Sequence, residues 1–164
     1  MMKKQNQSIH QSLDQIRARG AWDFVSNAQQ QLSDKNFKNY VSLVKKFPAM
    51  INNNGLGQAL AFIYSKTNFD QMNPEAVLFE NLQSWLTEKD HFDSISHYSP
   101  PYPQQQKSGH QTEKDYLLTC IMTNSSKIYL RATIESLALL DKLRNFASGK
   151  LKQGEQHGKK EDEK

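Results

Sequence analysis

Apolar residues recur along this chain at three- and four-residue intervals over long stretches, with almost no two-residue alternation, so the pattern predicts helices and hardly any strand. The first helix is expected from Ser8, an acceptable N-cap, to about residue 31, with Ile9, Leu13, Ile16, Gly20 and Phe24 on one stripe. A second begins at Ser33-Asp34 and gathers Phe37, Tyr40, Val41, Leu43, Val44 and Phe47 on one side. Pro48 lacks an N–H and is expected to end or kink it, starting a short helix through Ala49, Met50 and Ile51 that Asn52-Asn53-Asn54-Gly55 stops.

The run Leu56 to Tyr64 is apolar almost all round, with Gly57, Ala59 and Ala61 permitting close approach, and it reads as the most buried helix. Pro74-Glu75 opens another through Val77, Leu78, Leu82, Trp85 and Leu86. Between about 88 and 111 the periodicity is lost in Asp, His, Ser, Pro and Gln, the mark of a functional or mobile loop. Helices resume over 112–122 and 125–147, and from residue 150 the nearly apolar-free tail is expected to be disordered. The expected fold is therefore all-α: a compact bundle of about six helices in one domain over 1–149, with a tail over 150–164. Trp22, Phe24, Phe62, Trp85 and Phe146 fall at positions that periodicity assigns to the core; Tyr40 and Tyr64, next to or near lysines, could stack on bases, although core packing is the simpler reading.

Composition narrows the class. A chain of 164 residues can close a core without staples, and its single Cys120, in an apolar run, reads as a small buried hydrophobe of a reducing cytoplasm. No apolar core follows Met1-Met2-Lys3-Lys4 to make an export signal, and no run approaches a membrane span, so no membrane partner is expected. Net charge is only +4, from 21 basic and 17 acidic residues. The tail's five lysines (150, 152, 159, 160, 164) and four acids (155, 161, 162, 163) nearly cancel, which leaves +3 on the body. An excess this small matters only through its placement.

Two placements stand out. Lys35, Lys38, Lys45 and Lys46 share the polar side of the second helix, where the only acid is Asp34 at its N-terminus. On the last helix Lys127, Arg131, Glu135, Ala138 and Lys142 form a narrow basic stripe; read without a ligand, it is a solvated face with an Arg131–Glu135 pair.

Signals for catalysis are weak. Gly55-Leu56-Gly57-Gln58-Ala59-Leu60 lacks the third glycine and the preceding strand of a dinucleotide fingerprint. Asp90, His91, Asp93 and His97 match no helical ligand spacing and read as loop polarity, while His10, His110 and His157 are scattered. Cys120 has no sequence neighbour to lower its pKa. No catalytic residue, metal or cofactor is expected.

The segment Tyr40 to Phe62 combines a basic pair at Lys45-Lys46, Pro48, an Asn54-Gly55-Leu56 cap and an Ala59-Leu60-Ala61-Phe62 turn in one order. With Tyr129, Arg131, Thr133, Glu135, Leu137, Leu140, Leu143, Arg144, Phe146 and Ala147, and more weakly Arg17 to Trp22, it resembles the small subunit of the type III-B CRISPR effector complex, the Cmr family. Lys142 and Asn145 depart from it, standing where the family often has Trp and a basic residue. The resemblance implies a non-catalytic, all-helical cytoplasmic subunit of an antiviral ribonucleoprotein. Several copies would stack in a filament beside the backbone subunit, along the groove that receives guide-paired target RNA. RNA contacts are then expected from Lys35, Lys38, Lys45, Lys46, Lys66, Lys127, Arg131, Lys142 and Arg144. The competing reading is a helical adaptor that spaces partner subunits without significant nucleic-acid binding.

Overall fold

The structure, a computed structural model, describes residues 11–88, 99–104 and 114–161. Among them the regular elements are helices, as expected: α1 (Leu13–Gln31), α2 (Asp34–Asn54), α3 (Leu56–Tyr64), α4 (Pro74–Thr87), α5 (Tyr116–Thr123) and α6 (Ser126–Glu161). Ser8 lies outside the described residues, and the N-cap of α1 is Ser12. Its Oγ accepts the Gln15 amide at 3.3 Å while Gln15 Oε1 accepts the Ser12 amide at 2.8 Å, a reciprocal cap. Ser33 caps α2 as expected.

Of the two outcomes expected at Pro48, an end or a kink, the end is ruled out: α2 runs through it to Asn54. An interior proline costs about 3 kcal/mol, but Val44, Phe47 and Ile51 lie on one stripe across it and are almost fully buried. Each such side chain contributes roughly 1.5–3 kcal/mol on burial, so continuing the stripe outweighs the lost bond. The stop comes at Gly55, whose φ of 83° and ψ of 158° fall in a region that only glycine occupies cheaply.

α6 is the spine, 36 residues and about 54 Å long. α2 runs antiparallel to it: Lys38 meets Glu155 at one end, and Gly57, just past α2, meets Tyr129 at the other. α1 runs parallel to it, with Asp14 against Lys142 and Trp22 edge-on to Phe146. α6 passes its expected end near residue 147 and continues to Glu161, while residues 162–164 lie outside the described residues. Three contacts hold the extension: Leu151 packs on the core, Lys150 Nζ sits 4.3 Å over the Trp22 ring, and Glu155 pairs with Lys38 at 3.3 Å.

The most buried helix is α4 rather than α3. Its Val77, Leu78, Phe79, Leu82, Trp85 and Leu86 are enclosed by the other helices, whereas α3 leaves Gln58, Ala61 and Phe62 exposed. Gly20 lets α1 press on this layer, since a Cβ there would stand 2.6 Å from Trp85 Cζ3. Part of the expected loop over 88–111 is core: Pro100, Pro101 and Tyr102 are buried, and the Tyr102 amide donates to the Leu86 carbonyl at 3.2 Å. Residues 89–98 and 105–113 lie outside the described residues.

The aromatic assignments divide. Trp85 and Tyr40 are fully enclosed, and Phe24, Tyr64 and Phe146 partly so; Trp22 is 48% and Phe62 44% exposed, against expectation.

Candidate nucleic-acid interface

Amphipathicity of α2 builds the first part of the surface. Its apolar stripe, Phe37 to Ile51, is turned to α4 and α6, which forces Lys35, Lys38, Lys45 and Lys46 outward, and all four are exposed. Lys38 is drawn to Glu155. Among the described residues Lys35, Lys45 and Lys46 have no ion-pair partner. The chain carries no carboxylate between Asp34 and Asp70, so this face has no acid of its own to offset the lysines.

α3 follows from Gly55 and adds a second part. Its buried residues, Leu56, Ala59, Leu60 and Ile63, occupy one stripe, and Gln58, Ala61 and Phe62 occupy the other. These meet the end of α2 in a groove lined by Met50, Asn54, Gln58, Ala59, Ala61 and Phe62. Lys46 stands one turn before Met50 on the same side of α2. Lys66, just past α3, is exposed and holds its ammonium 4.2 Å from the centre of the Phe62 ring, a cation–π contact.

The start of α3 depends on a distant residue. Gly55 has no side chain with which to cap it, and the Tyr129 hydroxyl of α6 accepts the Gly57 amide at 2.9 Å instead. The orientation of the α3 groove relative to the α2 lysines is thus set from α6.

The basic stripe of α6 is arranged differently from the α2 face. Lys127 is exposed in the first turn. Arg131 donates to the Ser99 carbonyl and so ties the 99–104 segment, whose Pro100, Pro101 and Tyr102 are buried, to α6. Glu135 is buried, with its carboxylate turned to Arg17 of α1 at 2.5 Å rather than left on a solvated face. Lys142 pairs with Asp14 at 2.9 Å and Arg144 with Asp141 at 2.6 Å. Most of these cations therefore have partners within the chain, and they are not brought together with Lys35, Lys45 and Lys46.

Chemistry beyond charge is sparse. Asp90, His91, Asp93, His97, His10 and His110 lie outside the described residues, as does the His157 side chain. Among the described residues no three His, Cys, Asp or Glu side chains come together to hold a metal ion, and no helix is long and apolar enough to cross a membrane. Burial pushes the Cys120 thiol pKa up, and the Tyr116 hydroxyl beside it only partly opposes this, which disfavours the thiolate a nucleophile needs. Tyr40 cannot stack on a base, because it is enclosed and its hydroxyl accepts from Asn81 Nδ2 at 2.9 Å.

Sequence reasoning placed Phe62 in the core and so missed the groove. The signal was available: from Leu56 at 100° per residue, Phe62 falls about 110° off the centre of the stripe formed by Leu56, Ala59, Leu60 and Ile63.

Comparison with known families matches the chain over residues 13–150 to one family model, described as CRISPR-associated protein (Cas_Cmr5).

Proposed function

The chain belongs to the Cas_Cmr5 family of CRISPR-associated proteins, and from that membership we propose that it is the non-catalytic small subunit of a type III-B RNA-guided complex, contacting the target RNA backbone through the lysine face of α2. In this reading several copies stack beside the backbone subunit along the guide–target groove.

One observation carries the RNA contact: Lys35, Lys45 and Lys46 are exposed on one side of one helix without a neutralising acid. Such a face repels itself unless an anion relieves it, and phosphates spaced along a strand do so without reading sequence. The cations of α6 are secondary in this proposal, because Arg131, Lys142 and Arg144 each already have a partner within the chain. Stacking has its own support. Met122, Leu130 and Ile134 are 77%, 60% and 55% exposed, and the last two sit one turn apart on α6, the kind of apolar surface that a neighbouring subunit covers.

The test is charge reversal in the assembled complex. Lys45→Glu with Lys46→Glu is expected to weaken binding to every target sequence alike. If four to six phosphates per copy are engaged, single-strand affinity of the unaltered protein should fall with salt at a log–log slope of roughly −3 to −4. Unchanged target binding after the reversal, with a complex that dissolves when Leu130 and Ile134 are made polar, would establish the adaptor reading instead.

A further inference from the structure

We propose that the groove between α2 and α3 receives an unpaired base of single-stranded RNA, with Phe62 as its stacking platform and Lys46 and Lys66 on the flanking phosphates. This rests on the reading of α2 as an RNA-facing surface, and goes beyond it in naming a base site.

The groove combines three features that a nucleotide needs together. Its floor is apolar and includes an aromatic ring that the fold leaves 44% exposed, although Phe62 is large enough to fill a core position. Its walls carry the side-chain amides of Asn54 and Gln58, which donate and accept and so can meet the polar edge of any base. Its borders carry Lys46 and Lys66, with no acid among the lining residues. A protein partner of ordinary composition would meet this rim with mixed charge. A single strand, whose bases have flat π-faces and polar edges between phosphates, matches its apolar, amide and cationic parts.

Lys66 adds a geometric reason. Its ammonium lies over one face of the ring, 4.2 Å from the centre, so a base that stacks on that face displaces the ammonium, and the released cation is within reach of the base's own phosphate. Aromatic platforms flanked by cations bind single strands with little sequence preference, because every base presents a π-face. A paired base has no free face to offer, so the site selects unpaired nucleotides.

The experiment measures binding of the full chain to a fluorescein-labelled oligouridylate of twelve nucleotides and to a duplex RNA of equal length, with Phe62→Ala, Phe62→Trp and the Lys45→Glu/Lys46→Glu variant compared. Phe62→Ala is expected to lower single-strand affinity by roughly 5- to 50-fold, leave duplex affinity unchanged and leave the salt slope unaltered, because a stacking contact releases no counterions. Phe62→Trp should retain or raise the affinity, which separates stacking from a folding defect. If Phe62→Ala binds as the unaltered chain does while the double lysine variant loses binding, the base site is wrong and the phosphate reading stands. If neither RNA binds the unaltered chain, both fail. If Phe62→Ala leaves RNA binding intact but changes the oligomeric mass in solution, the groove serves a protein neighbour and the inference is overturned.

Discussion

Arg17 of α1 and Glu135 of α6 meet through two hydrogen bonds, Nε to Oε2 at 3.1 Å and Nη2 to Oε1 at 2.5 Å, and the Glu135 side chain is only 4% exposed. Removing Arg17 takes this counter-charge away from the buried Glu135 carboxylate. Arg17→Ala strands a buried carboxylate and is expected to cost about 3 kcal/mol. Replacing both partners by apolar residues, Arg17→Met with Glu135→Leu, should restore most of that loss. Urea unfolding of the three proteins checks it, and a double variant no more stable than Arg17→Ala would refute the account.

The Tyr129 hydroxyl holds the start of α3 through the Gly57 amide. Tyr129→Phe leaves that amide without its acceptor, and a loss of about 1–2 kcal/mol is expected. Gly55→Ala should cost at least as much, because φ is +83° and the new Cβ would stand 3.1 Å from the same hydroxyl. Amide exchange should quicken through α3 before it does in α4; uniform quickening would show that the cap acts on global stability alone.

Gly20 faces Trp85 across the α1–α4 contact, where a Cβ would approach Cζ3 to 2.6 Å. Although alanine is the better helix former by about 1 kcal/mol, Gly20→Ala should destabilise by roughly 1–3 kcal/mol, because a fully enclosed indole has little room to move. A gain in melting temperature would mean that the layer adjusts more freely than its packing indicates.

Burial raises the Tyr40 phenol pKa well above its ordinary value near 10, and the hydrogen bond with Asn81 offsets only part of this. The folded chain therefore keeps a proton that the unfolded chain gives up. Stability is fully present below pH 10 and falls above it, by about 1.4 kcal/mol per pH unit from this residue. Tyr40→Phe costs stability at neutral pH, yet it should flatten the decline between pH 10 and 11; an equally steep decline in that variant would assign the effect to other groups.

Arg131 and the α2 lysines should separate experimentally. Arg131→Ala is expected to leave target-RNA affinity within about twofold while speeding amide exchange at Tyr102, because its guanidinium secures the 99–104 segment through Ser99. A large loss of RNA affinity with unchanged exchange would return Arg131 to the RNA surface.

Periodicity and capping residues were enough to settle the all-α class, the division between α1 and α2 at Ser33, the Gly55 stop, and the placing of four lysines on the open side of α2. These features are local: each depends on a side chain's own backbone preference or on its angle around one helix axis. What neighbouring helices do to a local preference lay beyond reach. Pro48 stays inside α2 because Val44, Phe47 and Ile51 are buried together, and α6 outruns its expected end because α1 and α2 offer Trp22 and Lys38 to Lys150 and Glu155. The α6 stripe looked like a solvated face until Asp14 and Arg17 were laid against it. A wheel gives the angle of a charge around its own helix, but whether that charge meets water or a partner depends on the helix packed alongside. Only the assembled bundle decides which lysines stay open to an anion.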